Sequence, residues 1–271
     1  MTHMTRIRSL AALLCVAALG ACEKNAVQDI TRPVAGLAFV RFHNLSVGSP
    51  SVNFYANDQK LTAISATTCS PPPATPNPLC TTTGIEATTG TAYGSSALGG
   101  NYASVAPGTY TLTGRITAAA DNGLTVASVS APLAAEKFYS YFMSGIYSST
   151  GKTTDVFVVT DDLPTTFDYT KAYVRIVNAS SNAPSISATS LLQGTSASVT
   201  VASNVAYKSA SPIITIAPGL TDMVFTLSTG ATARATGINF TGGHVFTIAL
   251  RGDATSSLTT TGLALTTFVN R

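Results

Sequence analysis

The chain has 271 residues, 45% of them apolar and only 10% charged, with a formal net charge of +3. Ordinary soluble domains carry about 25% charged residues, and here Ala, Ser, Thr and Gly take their place. The 15 Lys and Arg residues are scattered and form no basic stripe, which excludes the electrostatic footprint of a protein that binds nucleic acid or an anionic membrane.

Arg6 and Arg8 precede an apolar run from Leu10 to Leu19. The run is about half of the ~20 residues that a membrane-spanning helix needs, so it reads as a secretory leader. It ends in Leu19-Gly20-Ala21-Cys22, which resembles the lipobox of bacterial lipoproteins, where small residues fit the signal peptidase and the cysteine thiol takes the lipid. On this reading residues 1–21 are a signal peptide, Cys22 is the lipidation site and residues 22–35, with Pro33 and no apolar period, are a tether. The competing reading is an ordinary leader with a chance cysteine. Glu23 stands where an aspartate would resemble an inner-membrane retention signal, and so favours the outer membrane.

From Ala38 the side chains alternate. Ala38, Val40 and Phe42 share one face and Phe39, Arg41 and His43 the other, the period of a half-buried strand. The stretch Ala38-Phe39-Val40-Arg41-Phe42-His43-Asn44 returns 134 residues later as Ala172-Tyr173-Val174-Arg175-Ile176-Val177-Asn178, and Pro50-Ser51 returns as Pro184-Ser185. The recurrence predicts two copies of one β-domain, which fits a length sufficient for two cores. Arg41 and Arg175, at equal places on the outward face, could pair a carboxylate or contact a ligand, and read better as solvated strand arginines. Behind Pro50 a second strand alternates Val52, Phe54 and Ala56 with Asn53 and Tyr55.

The copies match again at Ala92-Tyr93 with Ala206-Tyr207 and at Ala106-Pro107-Gly108 with Ala217-Pro218-Gly219, at offsets of 114 and 111. The first copy therefore carries an insertion of about twenty residues after its second strand. Cys69 and Cys80 lie in it, flanking a proline-rich segment that cannot form helix or central strand. Export into an oxidising compartment makes the two a disulfide pair, worth about 3 kcal/mol in the chain-entropy model, over the alternative of two free thiols. No histidine or further cysteine lies close enough in sequence to suggest a metal instead. Past Pro107-Gly108, Thr109, Thr111 and Thr113 alternate with Tyr110 and Leu112, leaving a row of threonines exposed.

Two strands close each copy, Phe138 to Gly145 answering Val245 to Gly252 and Thr154 to Thr160 answering Thr259 to Thr266. Asp161-Asp162-Leu163-Pro164 opens the linker, with the boundary at residue 168. Seven to nine short strands per copy, with no helical period, predict an all-β chain of two tandem immunoglobulin-like antiparallel β-sandwich domains, 36–168 and 169–271. The first-strand motif, Pro50, the Ala-Tyr and Ala-Pro-Gly-Thr-Tyr segments and the Asp-Asp-Leu ending resemble the bacterial domain of unknown function 4397 family over residues 36–271. That resemblance implies extracytoplasmic or lipid-anchored tandem β-sandwiches without an assigned activity. Ala188-Thr189-Ser190 departs from the family pattern by replacing the apolar and aromatic alternation of the second strand.

Little in the sequence points to chemistry. After leader removal His43 and His244 remain, at non-corresponding places; a hydrolase would need one of them within reach of a serine and a carboxylate. No nucleophile elbow, Walker loop or His-Glu-x-x-His is present, so the chain is read as non-catalytic, with no metal and no cofactor. Asp155, Asp161, Asp162 and Asp168 cluster in sequence near the domain junction and could gather calcium, but read better as solvated linker acids. Arg251-Gly252-Asp253 spells an integrin-recognition tripeptide and reads better as a polar turn. Seven of the tyrosines after the leader, including Tyr55, Tyr93, Tyr102 and Tyr147, fall in the first copy, which motivates an alternative reading as a glycan-binding module with its ligand surface on that domain. The expected partners are a membrane, through the N-terminal lipid, and a surface glycan or envelope protein.

Overall fold

A computed structural model describes residues 36–62, 67–69, 80–82 and 85–270. The strand period beginning at Ala38 becomes β1 (Ala38–Asn44), and the chain continues through β2 (Val52–Ala56), β3 (Gln59–Lys60), β4 (Thr67–Cys69), β5 (Cys80–Thr82), a five-residue helix α1 (Ile85–Thr89), β6 (Ser95–Ser96), β7 (Ala103–Val105), β8 (Gly108–Ile116), β9 (Thr125–Leu133), β10 (Phe138–Ser148) and β11 (Thr153–Thr160). One sheet runs β11-β10-β1, with β6 and β7 sharing the far side of β1, and the other runs β3-β2-β8-β9. Their inner faces meet in a core that includes Val40, Phe42, Phe54, Leu112 and Tyr141, the residues that the two-residue alternation sends inward.

The second half repeats this plan. β12 (Ala172–Asn178), β13 (Ser185–Leu192), β14 (Ser198–Ala206), β15 (Ser209–Ala210), β16 (Ile214–Ile216), β17 (Gly219–Leu227), β18 (Thr232–Phe240), β19 (Val245–Arg251) and β20 (Ala264–Val269) form sheets β20-β19-β12, with β15 and β16 sharing the far side of β12, and β14-β13-β17-β18. Their core is built on Val174, Ile176, Phe225, Phe240 and Ile248. In β13 the inward places are taken by Ile186, Ala188 and Ser190, so the departure at Ala188 changes side-chain size and leaves the alternation intact. The register carries one correction. Val159 faces Ser140 and Phe268 faces Thr247, so the closing strand β11 answers β20, with Thr160 matching Val269, and Thr259 to Thr266 is not its counterpart.

The sandwiches are not wholly antiparallel. β1 pairs with β10 in parallel, and β12 pairs with β19 in parallel, in the same register. The connection between each such pair crosses to the other sheet and back, so the two strands enter the pairing from the same end. Asn44 and Asn178, which end the repeated motif, explain its last letter. Each side-chain amide bonds carbonyl oxygens of the following loop and of the strand-side segment beyond, Pro50 and Thr91 for Asn44, Ala183 and Val205 for Asn178.

The insertion in the first sandwich lies where β14 passes to β15 directly through Tyr207 and Lys208 in the second. It contains a hairpin in which Cys69 and Cys80 are register partners, and α1, whose Glu86 carboxylate accepts the backbone N–H of Leu98. Cys22, the leader and the tether lie outside the described residues.

Candidate functional site

The outward face of the repeated strand is where the sequence reading and the structure part. Arg41 is fully buried and Arg175 is 2% exposed; neither is solvated. The outer faces of the two β1-type sheets pack against each other, and a third apolar cluster, Leu45, Phe142 and Phe157 from the first sandwich with Val177, Ala179, Ala249 and Phe268 from the second, fills the space between them. Gly36 onward thus forms one compact unit, with two private cores and a shared one.

At the centre of this shared face the two arginines are related by an approximate two-fold axis. Arg41 Nε donates to Ser140 Oγ at 2.9 Å and Arg175 Nε to Thr247 Oγ1 at 2.8 Å, each across its own parallel strand pair. Each then reaches the opposite sandwich: an Arg41 Nη donates to the Val269 carbonyl and an Arg175 Nη to the Thr160 carbonyl, both at 3.3 Å. The second Nη of Arg41 approaches Thr247 Oγ1 and that of Arg175 approaches Ser140 Oγ, at 3.5 and 3.4 Å. Exchange of equivalent partners in this way is the signature of an isologous contact.

The symmetry breaks in charge. Asp161, just past β11, accepts from Ser140 Oγ at 2.7 Å and pairs with Arg175, with Arg41 Nε 3.8 Å away. The residue just past β20 in the same position is Asn270, which accepts from Thr247 Oγ1 at 2.7 Å. Two buried guanidiniums therefore share one carboxylate. Tyr102 closes the gap: its hydroxyl donates to Asp161 at 2.5 Å and accepts from Asn270 Nδ2 at 3.3 Å, and its ring lies 5.1 Å from the Arg41 guanidinium. Burial raises the Tyr102 phenol and lowers the Arg41 guanidinium from their ordinary values, the latter opposed by Tyr102 and Asp161. Desolvating such a network costs about as much as its attraction returns, and each buried group draws hydrogen-bond partners from the opposite sandwich.

His43 lies in the same face. Its ring stacks on Phe142 at 4.7 Å and meets Phe268 of the second sandwich at 4.2 Å. Nδ1 contacts Ser96 Oγ at 2.7 Å, while Nε2 is buried with no hydrogen-bond partner. Burial first, then the charges of Arg41 and Arg175, hold its pKa well below the ordinary histidine value. A serine does reach this histidine, but apolar rings, not an orienting carboxylate, surround the other nitrogen. His244 is exposed; its Nδ1 contacts the Gly242 carbonyl at 3.0 Å and its ring lies 6.4 Å from that of Phe246.

The other sequence candidates are dispersed. Asp161 is buried in the ion-pair cluster and is not a solvated linker acid. Asp155 bonds Tyr207 and Lys208 of the second sandwich, at 2.8 and 2.7 Å, and Asp168 caps Thr170. Among the described residues, no group of three or more His, Cys, Asp or Glu is placed to hold a metal. Arg251 lies over the Tyr93 ring at 4.6 Å and Asp253 takes Asn182 and Thr255, so both charges of the Arg-Gly-Asp tripeptide are committed within the chain. Tyr139 and Tyr141 are core residues, Tyr93 and Tyr102 serve the shared face, and Tyr55 lies beneath Arg115 at 4.3 Å. These tyrosines of the first copy thus go into packing. An open groove of about 460 Å³ between β14 and β15 is lined by small Ser, Thr, Ala, Val, Asn and Pro residues.

Sequence reasoning missed the shared face although a signal was available. The face assigned to solvent in β1 carries Phe39 and His43 beside Arg41, and the two closing strands end in the parallel tripeptides Val159-Thr160-Asp161 and Phe268-Val269-Asn270. Residues 38–189 match the model of the family described as domain of unknown function (DUF4397), a span that takes in the first sandwich and β12 with most of β13 and is shorter than the 36–271 over which the motifs resemble that family. No curated protein matches the chain. A crystal structure of a candidate cell adhesion protein from Bacteroides fragilis is similar at 16% identity over 86% of this chain and 97% of that one, with a TM-score of 0.24.

Proposed function

Since the chain belongs to the DUF4397 family, we propose that it is a non-catalytic module of the bacterial cell envelope, anchored through lipid on Cys22, that presents two sandwiches locked into one rigid unit for binding or adhesion. The observation that carries this reading is where the scarce polar groups are used. Arg41, Arg175, Asp161, Asn270, Tyr102 and His43 all hold the sandwiches together. A reactive site needs a base, a nucleophile and an orienting group facing a space that substrate can enter; His43 faces Phe142 and Phe268 instead. The opposed register of Cys69 and Cys80 supports the disulfide expected for an exported chain.

Protease accessibility on intact cells, comparing wild type with Cys22→Ser, tests the address. Wild-type protein that fractionates with the membrane, while Cys22→Ser is released in soluble form, is the expected result. Identical fractionation of the two would refute lipid anchoring. Shaving of the wild type by external protease would place the sandwiches on the outside, where adhesion is their work. Protection until the envelope is opened would assign them to its interior.

A further inference from the structure

We infer that the shared face is an acid-sensitive latch: protonation of His43 drives the two sandwiches apart while each remains folded. From the ring's own strand Arg41 contributes a positive charge, and from β12 Arg175 contributes another. β10 and β20 present Phe142 and Phe268, and β6 presents Ser96. The acid of the cluster, Asp161, is already shared by the two guanidiniums, and Tyr102 donates its hydroxyl to that same carboxylate. A neutral imidazole is tolerated here; an imidazolium carries an N–H on both nitrogens, the one at Nε2 without an acceptor, and places a third cation beside one anion.

Such a proton is accommodated only where water reaches the ring. Phe268, which belongs to the shared cluster and not to the second core, covers it, so parting the faces hydrates His43 without breaking either private core. The linkage has a definite sign. In the parted state His43 titrates near its ordinary value of about 6.5, and in the docked state well below it. Docking is therefore at full strength above about pH 6.5 and weakens as pH falls below it, the parted fraction rising up to tenfold per pH unit for one proton.

Native-state labelling of buried thiols reads this directly. Ala249→Cys places a thiol in the shared cluster, and Ala97→Cys and Ala188→Cys place one in each private core. The full chain is labelled with methyl methanethiosulfonate between pH 7.5 and 4.5, rates are divided by those of the unfolded chain at each pH, and modified sites are assigned by mass spectrometry. The expected result is an opening constant for the shared-cluster thiol of Ala249→Cys that rises about tenfold per pH unit below about pH 6.5, with no matching rise in the two cores. In a His43→Val background, which installs the side chain found at the equivalent position in β12, Val177, that slope should vanish. Three outcomes would overturn the proposal: a flat profile for the shared-cluster thiol, a profile that follows the core thiols and so reports global unfolding, or a slope that survives His43→Val. If Ala249→Cys fails to fold, Ala179→Cys, buried in the same cluster, takes its place.

Discussion

Replacing Asp161 by asparagine removes one charge and almost no volume. The side chain is fully buried, pairs with Arg175 and Arg41, and accepts from Ser140 and Tyr102. Asparagine retains a carbonyl oxygen but leaves two buried guanidiniums without an anion. Removing one partner of a buried ion pair costs about 3–5 kcal/mol, because the orphaned charge keeps its desolvation penalty. For a chain of this size that is a fall in Tm of roughly 6–20 °C. The loss lies between the sandwiches and not within them, so a second consequence follows: urea unfolding, read by tyrosine emission and by far-ultraviolet circular dichroism, should split into two transitions. The counterpart variant exploits the approximate two-fold axis. In Asp161→Asn/Asn270→Asp the carboxylate moves to the equivalent place, where Thr247 already donates to residue 270 and Arg41 takes the role of Arg175. Most of the lost stability should return. A cost below about 1 kcal/mol for the single variant, or no recovery in the double, would refute the account of the cluster as a charge-matched pair of arginines.

Other outcomes follow from particular contacts. Tyr141 has a buried hydroxyl with no partner, and burial raises its phenol far above the ordinary value; Tyr141→Phe should leave stability unchanged or raise it by about 1 kcal/mol in urea titrations, since the desolvated hydroxyl is gone. Gly145 has φ +70°, its N–H donates to the Ala179 carbonyl of the other sandwich at 3.0 Å, and an added Cβ would come within 2.6 Å of the Tyr207 hydroxyl. Gly145→Ala should therefore cost about 2 kcal/mol or more, and a change under about 0.5 kcal/mol would show that this rim is not tightly packed. Lys208→Ala breaks a half-exposed pair with Asp155 and should shift Tm by no more than about 2 °C, less in high salt. Mild reduction should lower stability by about 3 kcal/mol if Cys69 and Cys80 are bridged, and the same reductant should have no effect on a Cys69→Ser/Cys80→Ser chain.

The sequence by itself determined the strands, the repeat and the private cores, because each of these is written in short-range signals. A two-residue period sends Val40, Phe42, Val174 and Ile176 inward whatever the rest of the chain does. Pro-Gly turns and the motif asparagines fix where those strands stop and which carbonyls the next loop offers. The drop in offset from 134 to 114 located the insertion in the same way. What lay on the other face of β1 was a different kind of question. Alternation distinguishes two faces but does not say that the outer one meets water, and Arg41 was assigned to solvent because arginine usually is. Only the packing of one sheet on its own repeat decided otherwise, bringing residues 41, 161, 175 and 270 together across separations that no local pattern spans. The same packing placed His43, near the start of the first sandwich, against Phe268, at the end of the second. A buried charge is tolerated only where its counter-charge and hydrogen-bond partners converge from several strands at once, and that convergence is a property of the assembled pair of sandwiches.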